Sequence, residues 1–221
     1  EIVDINHDEK VLRIDAPIRY SLKTRDNTRV YSVSDPIEEI GIEELSIGNL
    51  QNKGPGFKTS DYQKNGTGGY EVHQSHVITI NGTINSWVRE VSTFRPSQNQ
   101  DDIHILSNGI IIDYSRHITI EDGHFKKSQY NGGGGNGYMF TLRANDCLLK
   151  HNSAGDCRHN FSFKRMRSNG NVIYKCTGYE SKYSSDFHMY LSMANLVDNF
   201  TVVGDCLEAM YRPFGGGATH G

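Results

Sequence analysis

The sequence predicts an all-β fold, namely a single-stranded right-handed parallel β-helix, or β-solenoid. Apolar and polar side chains alternate with a period of two, as in HVITINGTI from His76 and RHITIEDG from Arg116, and this pattern is typical of strands. Windows of helical length show almost no apolar spacing of three and four residues. Short strands also recur at a nearly constant step, which indicates a repeat architecture.

Five strand-like segments mark the repeat, and small polar residues or glycines accompany each of them. They are NSWVREV, SRHITIED, NDCLLKHN, GNVIYKC and ANLVDNFTV, which begin at residues 85, 115, 145, 170 and 194, at steps of 30, 30, 25 and 24. Because one rung cannot bury its inward side chains alone, we expect one interior column of Val88, Ile118, Leu148, Val172 and Leu196. The polar residues would satisfy backbone groups at the corners. An antiparallel sandwich is the alternative, but its strands usually recur every 8 to 12 residues or so.

The chain is expected to form one domain, with rungs over residues 41–221. GIEELSIGN from Gly41 is an earlier, weaker rung, and the polar insertion at 51–69 predicts a loop. Residues 1–40 are predicted to form the first coils or a cap, because an uncovered sheet edge invites pairing with other chains. The start at Glu1 without Met, and the end in GGGATHG, suggest a processed start and a truncated end.

Composition excludes several classes of partner. The net charge is -3 and the pI is about 6.4, so no overall positive field points to nucleic acid. No apolar run approaches the roughly 20 residues of a membrane span. The four cysteines, at 147, 157, 176 and 206, lack the close pairs typical of zinc sites. Buried free thiols are favoured over a disulfide or a metal site.

Two histidines and two aspartates recur at the length of one rung. His159 and His188 are 29 residues apart, and Asp156 and Asp186 are 30 apart. Because neighbouring rungs lie about 4.7 to 4.9 Å apart, these side chains are predicted to form a compact, exposed cluster. Arg212 follows His188 by 24 residues, so it would extend the row to a third coil.

The repeated polar corners carry a resemblance to a known superfamily. With NGIIIDYSRHITIEDGHF as the clearest rung, residues 40–221 resemble the pectate-lyase-like right-handed parallel β-helix superfamily. GDCRHNFSFKR and SDFHMYLSMANLVDN are similar to a group of secreted bacterial β-helix proteins. The resemblance implies the fold, a secreted or cell-surface location and a carbohydrate partner. The motif sets of polygalacturonases and of classical pectate lyases are both missing, which counts against those two activities.

The clustered residue types suit β-elimination of an acidic polysaccharide. This reaction needs a cation or metal to neutralise a carboxylate, a base to remove the adjacent proton and an acid for the leaving oxygen. We expect Arg158 and Arg212 to neutralise the carboxylate, since a guanidinium matches its planar geometry. His159 or His188 would be the base and Tyr190 the acid. The remaining candidates are Asp186 in the catalytic cluster, with Lys164, Tyr183 and Asp156 contacting substrate.

Other interpretations of the same residues stay open. Asp156 and Asp186 would serve a glycoside hydrolase, two histidines with two aspartates would suit a transition metal, and all four would also suit ordinary solenoid corners. The cofactor is unknown; Ca²⁺ would use Asp101, Asp102, Asp113 and Asp122, although their spacing matches no calcium motif. The glycine-rich NGGGGNG at 131–137 predicts a loop between rungs, with a role over a substrate groove as the alternative. It is not a dinucleotide site, because a strand pattern follows it.

The sequence therefore predicts a secreted β-helix protein that cleaves an acidic polysaccharide by elimination. The alternative is a non-catalytic adhesin, fibre or structural unit that self-associates through the ends of the β-helix. No nucleic acid partner and no membrane span are expected.

Overall fold

The structure is a computed structural model, and it describes residues 2–29 and 35–211. The chain divides into two compact units, residues 1–34 and 35–221. The first contains an antiparallel pair, β1 (Ile2–Asn6) and β2 (Val11–Ile14), and a 3-10 turn at Thr24–Asp26. Whether it caps the coil stays a prediction.

The second unit is a parallel β-helix, as the sequence predicted. The chain is 46% strand and only 4% helix, and a parallel sheet winds about 303° around an axis. Short helical turns lie at Asp61–Gln63, inside the region predicted as a loop, and at α1 (Gly68–Glu71), which crosses the end of that region. Its strands are β3 (Ile37–Glu38), β4 (Gly41–Ile47), β5 (His76–Asn81), β6 (Thr83–Thr93), β7 (Asn108–Glu121), β8 (His124–Lys126), β9 (Tyr138–Asn145), β10 (Leu148–Lys150), β11 (Ser153–Gly155), β12 (His159–Lys164), β13 (Val172–Tyr174), β14 (Thr177–Tyr179), β15 (Ser185–His188), β16 (Leu196–Asp198), β17 (Thr201–Val203) and β18 (Leu207–Glu208).

Successive coils stack these strands into three parallel faces. Face A contains β5, the first half of β7, β9, β12, β15 and β18. Face B contains β4, β6, the second half of β7, β10, β13 and β16. Face C contains β8, β11, β14 and β17. Among the described residues of the second unit, the first strand to stack is β3, which pairs with β6; it lies within residues 1–40, where first coils or a cap were predicted.

The register of face B confirms the repeat but corrects the predicted interior column. Leu148, Val172 and Leu196 do lie side by side on neighbouring coils, with 24 residues between one and the next. The column continues into Thr119 and Trp87 rather than into Ile118 and Val88. It also faces outward, since Leu196 is 54% exposed. The interior column contains Val88, as predicted, with Ile120, Leu149, Ile173 and Val197. Ile118 is buried too, as predicted, but it lies in the neighbouring column beside Ser86.

Polar corners separate the faces, as predicted. One residue per coil takes a left-handed conformation between faces B and C, namely Glu90, Asp122, His151, Lys175 and Asn199. Buried asparagines also bridge coils at the corners. Asn152 accepts a hydrogen bond from the Gly123 N–H at 2.8 Å and donates one to the Ile120 carbonyl at 2.9 Å. These bonds satisfy backbone groups where the chain leaves the ladder.

Aromatic side chains fill the interior behind face A. Phe140 and Phe161 stack with ring centroids 5.0 Å apart, and Phe187 packs 4.9 Å from Phe163. All four cysteines are free thiols; those at 147, 157 and 176 are buried, whereas Cys206 is exposed. In the part of the chain that the structure describes, no helix is both long and apolar enough to cross a membrane.

Candidate functional site

The candidate site lies on the outer surface of face A, where β9, β12 and β15 are neighbours. Phe161 and Phe163 of β12 point into the core, so alternation sends Ser162 and Lys164 outward. The register sets Asp186 beside Ser162 and His188 beside Lys164. Three successive coils therefore present their polar side chains on one surface.

A buried carboxylate holds His188 in one tautomer. Asp186 is 1% exposed, and its Oδ2 lies 2.7 Å from His188 Nδ1, while Ser162 Oγ donates to Oδ1 at 2.8 Å. Burial alone would raise the pKa of Asp186, but the hydrogen bond from His188 and the neighbouring His159 outweigh it, so the pKa is lowered. Asp186 is therefore ionised, and Nδ1 of His188 carries the hydrogen. In the neutral ring, Nε2 is then the nitrogen that can accept a proton.

Tyr138 extends this pair into a chain of three groups. Its hydroxyl lies 3.5 Å from Nε2 of His188, and its ring is 5.8 Å from the His188 ring. The same ring stacks on His159 with centroids 4.4 Å apart. A phenol, an imidazole and a carboxylate thus lie in a row, with the Tyr138–His188 contact at the long limit of a hydrogen bond and Tyr138 itself 3% exposed.

His159 is a neutral, buried neighbour of this chain. It is 4% exposed, and Nδ1 donates to the carbonyl of Ser184 at 2.7 Å. Burial lowers the pKa of His159 to about 4, although Asp186 at 4.0 Å acts in the opposite direction. Its ring lies between Tyr138 and Tyr183, 5.8 Å from the latter. This geometry suits a residue that positions Tyr138 rather than one that exchanges protons near pH 7.

Three cations border the same surface. Lys164 Nζ lies 4.3 Å from the centre of the Tyr138 ring, and the Arg158 guanidinium lies 5.0 Å from that of Tyr183. Burial lowers the pKa of Lys164 to about 8, with Arg143 as the next largest cause. Among the described residues, the Nε atoms of Arg143 and Arg158 are buried without a hydrogen-bond partner. Lys164 and Arg158 are partly exposed, so theirs are the charges that an anion at this surface would meet.

The structure brings together six of the nine residues that the sequence suggested. These are Arg158, His159, Lys164, Tyr183, Asp186 and His188. Tyr190 follows β15 by two residues and is half-buried. Arg212 lies outside the described residues. The cluster is more enclosed than the predicted exposed row, because His159 and Asp186 are buried.

Two details of the predicted spacing were wrong. His188 lies beside Lys164, and His159 beside Tyr138, so the two histidines meet diagonally, with ring centroids 5.8 Å apart. The coil here is 24 residues long rather than 29, which shifts the register. Asp156 does not stack on Asp186; it lies at a corner and pairs with Lys127 at 3.2 Å.

Sequence reasoning missed Tyr138. It precedes His159 by only 21 residues, so the repeat length did not connect them. The sequence feature that could have pointed to Tyr138 is its position directly after the glycine-rich loop. That loop borders the site: Arg158 donates to the carbonyl of Gly132, and a Cβ added at Gly135 would lie 3.9 Å from Lys164 Nζ. A strand, β9, follows the loop, which agrees with the rejection of a dinucleotide site.

Among the described residues, side chains of the kinds that bind metals lie together at a position away from face A. Glu121, Asp122 and His151 have ligand atoms within 4.8 Å of one another at the corner between faces B and C, although Lys150 already pairs with Glu121. Two of the aspartates considered for Ca²⁺ already have cationic partners. Asp113 pairs with arginines, and Asp102 pairs with Lys127.

No family model, curated protein or solved structure matches this chain.

Proposed function

We propose that this protein cleaves an acidic polysaccharide by β-elimination on face A. The observation that carries the proposal is the chain from Asp186 through His188 to Tyr138, with Lys164 beside it. It supplies a base, an acid and a cation within one surface, and these are the three requirements of the reaction. A secreted location and the likeness to pectate-lyase-like proteins belong to the same proposal.

The cations would hold the carboxylate of a uronate unit. Lys164 and Arg158 are partly exposed, whereas the guanidinium of Arg143 already pairs with Asp113. Binding the carboxylate reduces its charge and thereby acidifies the neighbouring C–H group. Arg212 remains a predicted fourth cation.

His188 would remove the proton from that carbon through Nε2, while Asp186 stabilises the imidazolium. The electron pair of the C–H bond forms a C=C bond, and the adjacent C–O bond breaks. Tyr138 donates its phenol proton to the leaving oxygen, in the role that the sequence suggested for Tyr190. The imidazolium then returns its proton to the tyrosinate across the 3.5 Å contact, which restores both groups.

The alternative of hydrolysis by two carboxylates has less support. Both oxygens of Asp186 accept hydrogen bonds, from His188 and Ser162. Asp156, its suggested partner, pairs with Lys127. A glycosidase pair would need two carboxyl groups facing one sugar bond, and these two do not.

The test measures the ultraviolet absorbance of unsaturated uronates during incubation with polygalacturonate, alginate and chondroitin. We expect one of these to be cleaved, and His188→Ala and Tyr138→Phe each to lower kcat by about 10²- to 10⁴-fold. Tyr114→Phe, at an exposed tyrosine, is the matched control and should leave kcat unchanged. Absence of unsaturated product from every polyuronate would contradict the proposal. Stable self-association without turnover would then favour the structural alternative.

A further inference from the structure

Face B carries the only tryptophan of the sequence in its outward column. Trp87 lies beside Gly41 of the preceding coil and Thr119 of the next. A Cβ on Gly41 would lie 2.6 Å from Trp87 Nε1 and 2.7 Å from Cε2. The indole therefore lies over the glycine, and only a residue without a side chain permits this. Its N–H donates to the carboxylate of Glu43, which fixes the orientation of the ring.

The same indole bounds a shallow depression of about 460 Å³, a volume within the usual range of small-molecule sites. Arg89 donates to Glu43 Oε2 at 2.9 Å, and Lys150 pairs with Glu121. Each lining carboxylate thus has a cationic partner, so the depression is polar but close to neutral. The lining residues are Glu43, Trp87, Val88, Arg89, Thr119 and Glu121.

We infer that this depression binds a neutral sugar ring. A flat indole offers an apolar surface to the C–H groups of a sugar, and the carboxylate and guanidinium groups around it accept and donate hydrogen bonds to hydroxyls. A uronate is disfavoured, because two carboxylates line the site and Glu43 already balances the charge of Arg89. Face A, where Arg158 and Lys164 are partly exposed, has the opposite preference.

The site is independent of the proposed elimination. It lies on another face of the coil, and its residues contribute nothing to the chain from Asp186 to Tyr138. A polysaccharide with neutral and acidic units would be held by face B and cleaved on face A. Binding on face B holds whether or not face A is catalytic.

Tryptophan fluorescence tests the inference directly, because Trp87 is the sole source of the signal. The full chain is titrated with cellohexaose, xylohexaose and mannohexaose, and with hexagalacturonate for comparison. We expect a saturable change with at least one neutral hexasaccharide, and affinity at least tenfold weaker for hexagalacturonate. Thr119→Arg fills the depression without removing the fluorophore and should weaken binding at least tenfold. Thr201→Arg, at an exposed threonine of face C, should leave it unchanged.

The His188→Ala variant separates this inference from the proposed function. It should bind the neutral hexasaccharide as the unmodified protein does, even where elimination is lost. The inference is overturned by the absence of a saturable change with all three neutral sugars, by an undiminished change in Thr119→Arg, or by tighter binding of hexagalacturonate.

Discussion

Asp186 and His159 lie 4.0 Å apart on face A, and both are buried. Asp186 nevertheless keeps its charge, whereas His159 is neutral. Asp186 stays ionised because His188 and Ser162 donate hydrogen bonds to it. His159 donates only to a backbone carbonyl, so nothing compensates fully for the cost of a buried imidazolium. The surface therefore combines a fixed carboxylate, a neutral aromatic stack and a set of cations.

His159 makes the stability of the fold depend on pH. Its pKa is lowered from 6.5 to about 4 in the folded chain, so the unfolded chain binds this proton more readily. Stability is fully present above pH 6.5 and is lost as the pH falls from 6.5 toward 4, by about 3 kcal/mol in total. His159→Phe keeps the ring stack without this proton. We expect urea denaturation to show a smaller loss of stability in this window for the variant than for the unmodified protein.

The comparison must be made between the two proteins, because His76 and His104 also have lowered pKa values and act in the same direction. Asp186 does not affect the stability difference between pH 6.5 and 4. Its pKa is lowered from 3.8, so its contribution to stability is lost only below that pH. Equal losses in both proteins would contradict the assignment to His159.

Lys164 should set an alkaline limit to activity under the proposed function. Burial holds its pKa at about 8, so the ammonium that binds the carboxylate is lost as the pH rises through that value. We expect kcat/KM to fall about tenfold per pH unit above the limit. Lys164→Arg keeps the charge and should shift the limit upward in a pH profile. An unchanged limit in this variant would rule out Lys164 as the titrating group.

At the scale of the strand, face B shows why register was difficult to predict. Each short strand begins with two apolar residues, LL at 148–149, VI at 172–173 and LV at 196–197. Alternation alone does not say which of the two faces inward, and a slip of one residue exchanges the faces. The corners decide it, because the left-handed residue after each strand fixes where the chain turns.

Paired substitutions in β10 test this register. Leu149 is 1% exposed in the core, so Leu149→Ala should lower the free energy of unfolding by about 2 to 5 kcal/mol. Leu148→Ala, on the outward side, should lower it by less than about 1 kcal/mol. Urea denaturation of both variants measures the difference. A larger effect at Leu148 would restore the register that the sequence suggested.

At the scale of the whole molecule, winding gives one chain three surfaces of different chemistry. Face A gathers Tyr138, His159 and Asp186 from three successive coils, although 48 residues separate the first from the last. Face B presents an indole over a glycine and paired charges. The interior behind them holds stacked phenylalanines and buried thiols, of which Cys147 has its pKa raised to about 12 by burial. Two clusters of different charge thus lie on different faces of one core.

The sequence by itself determined the fold class, the 24-residue step of the later coils and the polar corners. These follow from alternation and turn chemistry, which contiguous residues carry. Six of the suggested residues do lie close together, but not through the 29-residue spacing that suggested it. Only the tertiary structure decided that His188 lies beside Lys164, that Tyr138 joins the site and that His159 is neutral. The physical reason is that the entropic cost of closing a loop changes little with its length, so the lengths of the loops between strands are not set by local sequence. Neighbours across coils, and the burial that sets their charges, therefore depend on the stacked coils and not on local sequence.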